Sequence, residues 1–352
     1  LEGHAMQFMN LAYQASSDCD VLVANVPHLG GSFAELGKIP SLHLAYFPHI
    51  PTRSFAPATA KYDIGLLNPL AYRIEARVLE KPFLPMINRW RSHKGLAPLP
   101  LGRNDGRMDG YRQPVLHPFS RYLCPPPREW DGRAEAIGFL QLPVEQGWTP
   151  PADLDRFIDS GSAPIYIGFG SMVGADPERV TGIVLRALAG TGIRAVLHGG
   201  WGGLAIRQTE VPVHFLQGDV PHSALFARMA AVVHHGGPGT IATALRLGLP
   251  QLSVPFIPDQ RFWGRRLARN GLGPSPIDID KLSVSKLRSA LRQLVSTASY
   301  RERAQLMRRQ VNSENAGHHA VVTIESLVSS STSPVRQAAV TSSFRAELTH
   351  GT

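Results

Sequence analysis

The sequence predicts an α/β protein with two domains, each built on a parallel β-sheet. Short apolar runs alternate with segments of helical periodicity along most of the chain, which is typical of parallel sheets covered by helices. Several of these runs end in glycine, histidine or serine, which is where ligands bind in open α/β sheets. The length of 352 residues accommodates two domains of ordinary size.

Composition agrees with a folded globular protein. Hydrophobic residues make up 43% of the chain and charged residues 18%, which is enough apolar material for a sizeable core. The sequence contains no apolar run long enough to cross a bilayer and no signal peptide. Its two cysteines cannot form a disulfide framework, so we expect reduced thiols and a cytoplasmic location.

The net charge of +9 raises the question of an anionic partner. Such a charge can serve nucleic acid, an anionic lipid surface or an anionic substrate. The arginines are scattered and do not alternate with aromatic residues, so we predict no nucleic-acid partner. A solvated basic surface is the preferred interpretation, and weak peripheral contact with an anionic membrane is the alternative.

The first domain is predicted over residues 1–145. Little chain precedes the first predicted strand, so we expect this domain to lack its first strands. Its long amphipathic segment, residues 68–94, is interrupted at Pro82 and Pro85 and predicts one or two helices. The other predicted elements are a helix ending near residue 17, strands 20–25, 42–47, 115–120 and 136–140, and a helix over 33–38.

A proline- and glycine-rich stretch predicts an interdomain linker over residues 146–163, followed by a second domain over 164–328. Repeated strand–helix units in this domain describe a complete Rossmann-like fold. The strands are predicted over residues 165–169, 194–197, 213–216, 231–233 and 251–254, and helices over 177–188, 223–228, from 239, over 260–270, and from 284, 300 and 316. Residues 329–352, rich in Ser, Thr and Ala, predict a disordered tail.

The chain is organised around strand 231–233, which ends at His234, His235 and a glycine-rich turn. The turn opens a helix at Gly239 and Thr240. Amides in such a turn and in the first helical turn lack internal partners, and the helix dipole favours negative charge there. Thr240 and His235 add side-chain donors, so this segment predicts a diphosphate site. The alternative is an ordinary strand–helix corner in which the histidines are merely hydrogen-bonded polar residues.

The next strand–helix unit along the chain carries a second pair of candidate functional side chains. Strand 251–254 ends in a loop punctuated by prolines, which leads to Asp259 and Gln260. Because ligands in open α/β sheets lie at the carboxyl ends of strands, we expect this pair at the same edge as the diphosphate site. A carboxylate that accepts from two hydroxyls, beside an amide that donates and accepts, suits a sugar ring.

These two segments resemble the donor signature of UDP-dependent glycosyltransferases of the GT-B family. The matching segments are residues 234–240 (HHGGPGT) and 255–264 (PFIPDQRFWG), with further landmarks at 167–172 (IGFGSM), 199–201 (GGW) and 220–222 (VPH). The resemblance is to the branch with sterol glucosyltransferases and bacterial macrolide and glycopeptide glycosyltransferases, and extends from about Asp18 to about Leu327. It implies two Rossmann-like domains facing across a cleft, the first of them incomplete here.

The resemblance also implies roles for individual residues. His235 would stabilise the departing diphosphate, and His234, on the opposite side of the strand, would be structural. Ser171 would donate a hydrogen bond to phosphate or, equally, cap a helix. Trp201 would border the nucleotide, and Val220 and Pro221 would lie beneath the uracil. The predicted donor-binding residues are Ser171, Trp201, Val220, Pro221, Gly237, Gly239, Thr240, Asp259 and Gln260.

The general base is the largest gap in the sequence. In the family it is a His or Asp near the start of the first domain, a region we expect to be missing here. His28, just beyond the first predicted strand, is a geometric candidate, and a loop histidine is the alternative. Asn25 stands where plant relatives have the aspartate that orients the base. Thr243 stands where plant relatives hold the donor ribose with a glutamate, which weakens the prediction of UDP selectivity.

The resulting prediction is an inverting, metal-independent transfer of a hexose, preferably glucose, from a UDP-sugar to a hydroxyl of a lipophilic acceptor such as a sterol or macrolide. We expect no cofactor and no metal, since the UDP-sugar is a co-substrate. Three Asp-x-Asp triplets, which begin at Asp18, Asp153 and Asp278, lie at strand entrances or helix starts and are rejected as metal sites. The alternatives are a truncated protein that binds nucleotide-sugar without turnover, a nucleotide-sugar epimerase, and a nucleic-acid binder.

Overall fold

The chain divides into two compact units. Unit 1 comprises Leu1–Pro118, Pro126–Ile137 and Ala316–Thr352, and unit 2 comprises Phe119–Pro125 and Gly138–Asn315. The computed structural model describes residues 2–102, 107–108, 111–112, 114–130, 132, 134–141, 147–170, 172, 176–200, 204–205 and 209–330.

Unit 1 is built on a parallel sheet with strand order β1-β2-β5-β6. Its elements in chain order are α1 (Glu2–Ala15), β1 (Leu22–Ala24), α2 (Pro27–Gly37), β2 (Ser41–Leu44), α3 (Asn68–Glu80), α4 (Leu84–His93), the short antiparallel pair β3 (Arg107–Met108) and β4 (Tyr111–Arg112), β5 (Val115–His117) and β6 (Ala134–Ala136). Short 3₁₀ helices lie at Gly65–Leu67 and Arg128–Trp130.

Unit 2 is built on a five-stranded parallel sheet with strand order β11-β10-β7-β8-β9. Its elements are α5 (Ala152–Asp159), β7 (Ile165–Gly168), α6 (Pro177–Leu188), β8 (Ala195–His198), β9 (Val213–Leu216), α7 (His222–Phe226), β10 (Val232–His234), α8 (Pro238–Leu247), β11 (Gln251–Ser253), α9 (Pro258–Arg269), a 3₁₀ helix at Ile279–Lys281, α10 (Val284–Ser296) and α11 (Ala298–Asn312). The chain then returns to unit 1 as α12 (Ala316–Ser330).

Alternation along the strands of unit 2 places apolar side chains on both faces of the sheet. Ile165 and Ile167 of β7 belong to one buried cluster, whereas Tyr166 between them belongs to another. In β10, Val233 and Val232 divide in the same way. A parallel sheet covered by helices on both faces has this pattern, so the predicted α/β class is confirmed.

The start of α2 differs from the prediction. The helix begins at Pro27 instead of residue 33, with proline in the first turn, where its missing N–H costs nothing. His28 therefore lies in the first turn of a helix and not in a loop. The helix packs very closely on β1, because a β-carbon at Gly30 would lie 2.2 Å from that of Ala24.

The amphipathic segment 68–94 forms two helices, α3 and α4, separated at the prolines. Trp90 of α4 is fully buried and packs edge-to-face against Phe33 of α2, with ring centroids 5.2 Å apart. Met9 of α1 and Ile87 belong to the same cluster, which covers one side of unit 1.

Two predicted domain boundaries need correction. The last helix, α12, belongs to unit 1, because Ile324 and Leu327 pack on Leu42 and Leu116 of that sheet. The predicted second domain, residues 164–328, therefore extends too far. The predicted linker, residues 146–163, also contains α5, whose Leu154 is fully buried in unit 2. Prolines on both sides of this segment obscured its short helical pattern.

None of the helices in the described residues combines the length and the hydropathy needed to cross a lipid bilayer.

Leu154→Ala tests whether α5 is part of the unit 2 core. Because Leu154 is fully buried, we expect its truncation to lower the free energy of unfolding by about 2–5 kcal/mol. Asp153→Ala, on the exposed side of the same helix, should change it by less than about 0.5 kcal/mol. Urea denaturation followed by circular dichroism measures both. Equal stability of the two variants would show that α5 is a linker and not part of the core.

Candidate functional site

Three glycines end neighbouring strands at the carboxyl edge of the unit 2 sheet. Gly170, Gly200 and Gly236 follow β7, β8 and β10, with φ values of +60°, +54° and +102°. A β-carbon at Gly200 would lie 2.4 Å from the carbonyl oxygen of Gly170, and one at Gly236 would lie 2.8 Å from Oγ of Ser253. Both the backbone angles and the close contacts therefore require glycine at these strand ends.

His234 is a structural residue that fixes the glycine turn. It is fully buried in β10, and its Nδ1 accepts a hydrogen bond of 2.9 Å from the backbone N–H of Gly236. The other ring nitrogen therefore carries the proton, and Nε2 donates to Oε1 of Gln251 at 3.0 Å. Burial lowers the pKa of His234 to about 3, so the ring is neutral near pH 7. One neutral imidazole thus ties the turn to β11.

His235 faces the glycine turn, as its predicted role requires. A β-carbon at Gly237 would lie 2.4 Å from Nε2 of His235, and one at Gly170 would lie 3.1 Å from Cε1. Burial lowers the pKa of His235 to about 4, which leaves the ring neutral near pH 7. Its Nδ1 is buried and has no hydrogen-bond partner within the described part of the chain. The imidazole thus lies between the turns that follow β7 and β10.

The turn leads into α8, whose first turn faces the edge of the sheet that carries the glycines. Gly237 is the N-cap residue, and no side chain in the described residues caps this helix start. A β-carbon at Gly239 would meet nothing within 4 Å, so the first helical turn borders open space. The exposed start of a helix, beside the hydroxyl of Thr240, has the form of an anion site.

Asp259 lies at the start of α9, which follows β11. Because β11 is parallel to β10 and next to it, α8 and α9 begin at the same edge of the sheet. The half-buried carboxylate accepts hydrogen bonds from its own backbone N–H and from that of Gln260. Burial is the larger influence and raises the pKa of Asp259. Its remaining lone pairs can accept from hydroxyl groups.

Gln260 requires a correction. Its side chain is buried, and Oε1 accepts hydrogen bonds from the backbone N–H groups of Phe256 at 2.8 Å and Ile257 at 3.3 Å. The oxygen predicted to accept from a sugar therefore closes the loop before α9. Nε2 lies 3.0 Å from Sδ of Met172 and is the part of the amide that remains for a ligand. A glutamine three residues after an N-cap commonly makes this capping contact.

A buried polar network supports the loop that carries Val220 and Pro221. The hydroxyl of Tyr166 donates to Nδ1 of His198 at 2.9 Å, because Nε2 of His198 donates to the carbonyl oxygen of Gly218 at 2.9 Å. Nε2 of His222 lies 3.3 Å from the same hydroxyl. Val220 packs on the core cluster that contains Tyr166, and Pro221 caps α7. The network fixes this loop, and no motif in the sequence connected its members.

Two predicted donor residues, Ser171 and Trp201, lie outside the described residues. The rejected aspartate triplets have structural contacts. Asp155 pairs with Arg228, and Oδ1 of Asp278 lies 2.8 Å from Nε of Arg261.

Unit 1 contains a cavity of about 370 Å³ between the end of β1, β2, α3 and α4. Its apolar wall includes Leu44, Ala76, Leu79, Phe83 and Ile87. Its polar lining residues are Asn25, His28, His43, His49, Glu75 and Glu80. A mainly apolar cavity with few polar groups is typical of a site for a hydrophobic ligand.

His28 and Glu80 form a pair at this cavity that the sequence did not predict. Nε2 of His28 lies 3.0 Å from Oε1 of Glu80, an ion-pair distance outside hydrogen-bond geometry, and neither ring nitrogen has a hydrogen-bond partner among the described residues. The other carboxylate oxygen of Glu80 accepts from the backbone N–H of Gly102 at 2.7 Å. Asn25 lines the same cavity. The acid beside the candidate base is therefore Glu80.

A buried arginine fixes α2, the helix that carries His28, against α4. Nη1 of Arg91 lies 2.8 Å from Oε2 of Glu35 and 3.0 Å from Oγ of Ser32. Its Nε donates to the carbonyl oxygen of Ala97 at 2.7 Å. Because the guanidinium is fully buried and its partners lie on both sides, it holds the two helices in register.

Further histidines lie beside the cavity and are uncharged near neutral pH. Nδ1 of His43 donates to the carbonyl oxygen of Ala24, and the His43 and His49 rings meet edge-to-face with centroids 4.7 Å apart. Burial lowers the pKa of both residues, and the pKa of His117 to about 4. The rings of His43 and His49 add polar surface to the cavity wall without adding charge.

The chain is similar to known glycosyltransferases. Residues 205–327 match the family described as Erythromycin biosynthesis protein CIII-like, C-terminal domain. The chain is 36% identical over 279 residues to the sterol 3-beta-glucosyltransferase UGT80A2 of Arabidopsis thaliana, covering 78% of this chain and 44% of that protein. It is 31% identical over 333 residues to the sterol 3-beta-glucosyltransferase of Aspergillus fumigatus, covering 90% and 23%. The chain thus spans less than half the length of these relatives.

Solved structures share the fold at lower identity. The spinosyn forosaminyltransferase SpnP superposes with a TM-score of 0.66 at 17% identity, covering 91% of this chain and 80% of that one. The calicheamicin glycosyltransferase CalG4 superposes with a TM-score of 0.65 at 20% identity, covering 91% and 77%. These likenesses show that the chain has the GT-B fold. Within it, the chain belongs to the UDP-glycosyltransferase family, which confirms the resemblance found in the sequence.

Two alanine substitutions distinguish a glycine that the fold requires, Gly236, from one that only a ligand would require, Gly239. We expect Gly236→Ala to lower the free energy of unfolding by about 3 kcal/mol, because of its positive φ and its contacts with Ser253 and Gln260. Gly239→Ala, where the methyl group meets open space, should change it by less than about 0.5 kcal/mol. Thermal denaturation of both variants measures the difference. A destabilised Gly239→Ala would show that its surroundings are occupied.

Proposed function

We propose that this chain transfers a hexose, with glucose preferred, from a UDP-sugar to a hydroxyl group of a lipophilic acceptor such as a sterol or macrolide. The observation that carries the proposal is the pairing of two features at one sheet edge. His235 faces the uncapped start of α8, and the Asp259 carboxylate lies at the start of the neighbouring helix. A diphosphate and the sugar attached to it need these two kinds of group at one edge of a sheet.

The donor half of the proposal concerns the departing diphosphate. Transfer moves an electron pair onto the phosphate oxygen, so donors aimed at that oxygen accelerate the reaction. The backbone N–H groups of Gly239 and Thr240, together with the His235 ring, would supply them. Gly237 would let the backbone approach closely, and Val220 and Pro221 would contact the uracil. Ser171 and Trp201 keep their predicted places at the phosphate and the nucleotide.

The sugar would be held by Asp259, which can accept from two adjacent hydroxyls. Gln260 would support it mainly through the loop, since its oxygen closes the turn before α9, and would offer only its N–H group to the sugar. The proposal stays metal-independent, because amide and imidazole donors provide the diphosphate with positive charge density.

The acceptor half concerns the cavity of unit 1. Its apolar wall would hold the body of the acceptor, and His28 would take the proton of the reacting hydroxyl. The acceptor oxygen then bonds to the anomeric carbon while the bond from that carbon to the diphosphate breaks. UDP leaves with the electron pair, and a single displacement inverts the configuration. The Glu80 carboxylate would stabilise the imidazolium that forms. The names of the plant and fungal relatives support a sterol as acceptor.

Titrations with UDP and UDP-glucose test the donor half. His235→Gln should weaken both ligands about tenfold to hundredfold, because it removes a donor to the diphosphate. Asp259→Asn should weaken UDP-glucose about tenfold and leave UDP unchanged. Asp153→Asn, a substitution on the exposed face of α5, is the matched control. Unchanged binding of both ligands to both site variants would exclude this donor geometry.

The pH dependence of the same titration tests the state of His235. Its pKa is about 4 in the free protein, and a nearby diphosphate raises it, because an opposite charge favours the protonated ring. Binding of UDP-glucose should therefore take up a proton and strengthen as the pH falls from about 7 toward about 5. Calorimetry in buffers of different ionisation enthalpy measures the uptake. His235→Gln should abolish it, and equal uptake by that variant would assign the proton elsewhere.

Steady-state kinetics test the acceptor half. His28→Gln should lower kcat about 100-fold to 10,000-fold without changing the affinity for UDP-glucose, since it removes the base. Glu80→Gln should lower kcat less. His319 and Glu135, 2.7 Å apart on the surface of unit 1, are a matched pair whose substitution should have no effect. A His28→Gln variant with full kcat would identify another base.

The product assay also decides the alternative of a protein that binds nucleotide-sugar without turnover. Incubation with UDP-glucose and a panel of sterols and macrolides yields a glycoside if the proposal is correct. Binding of UDP-glucose with no glycoside formed would favour the non-catalytic alternative. The cytoplasmic location stays a prediction.

A further inference from the structure

A continuous stretch of unit 1 exposes large apolar side chains to solvent. Its members, which we call the α3 face, lie in α3, in the 3₁₀ helix and the loop before it and in the turn after it, and each is between 47% and 77% exposed. They are Tyr62, Ile64, Leu66, Leu67, Leu70, Ile74, Val78, Leu79 and Phe83. Single exposed apolar residues are ordinary, but a contiguous set marks an interaction surface.

The spacing along α3 shows that this surface is a stripe of the helix. Leu70, Ile74 and Val78 follow one another at intervals of four residues and therefore lie above one another on one side. The opposite side is buried and carries Tyr72 and Ala76. The helix thus has an apolar stripe that is buried in the unit and a second one that is exposed to solvent.

The charges on this helix divide by side. Arg73, Arg77 and Lys81 are exposed between the apolar residues of the α3 face. Both acids of the helix point inward: Glu75 is buried against Thr59, and Glu80 is buried beside His28. Within residues 61–83, all of which the structure describes, the one exposed acid is Asp63. Its Oδ1 accepts from Asn68 and Gly65 at the start of the helix.

Apolar side chains interleaved with cations on one exposed helix face fit a bilayer surface with anionic lipids. The apolar groups enter the boundary between headgroups and acyl chains, and arginine and lysine remain at the headgroups. The net charge of +9 adds a long-range attraction between the protein and an anionic lipid surface.

The α3 face is continuous with the cavity. Leu79 is 48% exposed and Phe83 is 61% exposed, and both also line the cavity. Ala76 and Leu84, next to them in sequence, lie on its inner wall. The cavity rim is therefore made of residues of the exposed apolar surface.

We propose that the α3 face docks on an anionic lipid surface and that the acceptor enters the cavity from the lipid across Leu79 and Phe83. The docking stands independently of the reaction, and the acceptor route rests on the proposed function. If a water-insoluble acceptor enters directly from lipid, its apolar surface is not exposed to water on the way to the cavity.

Vesicle flotation of the full chain tests the docking. The probes are vesicles of phosphatidylcholine alone and vesicles with roughly one part phosphatidylserine to three parts phosphatidylcholine. We expect the chain to float with the second kind and to be released by high salt, because the attraction of cations to the surface is screened. A chain that stays in the soluble fraction with both kinds would overturn the proposal.

Paired variants locate the contact. Ile74→Glu with Val78→Glu should lower partitioning more than tenfold, because it places two acids in the stripe without touching the cavity lining. Arg73→Gln with Arg77→Gln should lower it about fivefold for each charge removed. Val295→Glu with Leu306→Glu adds the same charges at exposed apolar sites in unit 2, and should float like the unchanged chain.

Two results would contradict the inference. Undiminished flotation of Ile74→Glu with Val78→Glu would place the lipid contact elsewhere. Sedimentation velocity that shows a dimer, converted to a monomer by the same pair, would assign the α3 face to a second copy of the chain.

Activity then tests the entry route separately. With a sterol embedded in anionic vesicles, Ile74→Glu with Val78→Glu should lower the rate more than tenfold. With the same sterol delivered by cyclodextrin, the rate should equal that of the unchanged chain. Equal loss in both assays would overturn the entry route. An unchanged chain that floats but forms no glycoside would overturn the proposed function and the entry route that rests on it, and leave the docking in place.

Discussion

The donor side of this protein depends on how closely the backbone can approach itself at the carboxyl edge of the unit 2 sheet. Gly170, Gly200 and Gly236 stand where a side chain would meet the neighbouring turn or strand. Because these strand ends lack side chains, the start of α8 and the ring of His235 remain open. The buried His234 holds the turn in this form through bonds to Gly236 and Gln251. The anion site proposed here would thus depend on main-chain shape before side-chain chemistry.

Both units place histidines where burial keeps them neutral. In unit 2, His222 and His235 have their pKa lowered to about 4, and in unit 1 the same effect acts on His43 and His117. A neutral ring can donate and accept in a fixed direction, whereas a charged ring would repel its neighbours across these short distances. In both units, burial thus makes histidine an oriented, uncharged polar group, although the residue is charged in acidic solution.

The sequence revealed those parts of the site that are contiguous. Strand β10, its glycine turn and α8 occupy one short segment, so the strand, turn and helix were predicted together, and the diphosphate site stays a prediction. The pairing of His28 with Glu80 was not predicted, because 52 positions separate them (80 − 28) and only tertiary packing of α2 and α3 brings them together. The helix α5 was missed for a local reason, because prolines flank its short pattern. The capping role of Gln260 was local and could have been found from its place three residues after Ile257.

The cavity of unit 1 has two ends with different mechanical support. At one end, Glu80 is tied to Gly102, and the helix of His28 is held by the buried Arg91. At the other end, Leu79 and Phe83 are about half exposed to solvent and contribute little to the buried core. Natural variation can therefore reshape the rim, and with it the range of molecules admitted, while the polar end and the stability of the unit are preserved. Such a division favours diversification of acceptor range among proteins that keep one chemistry.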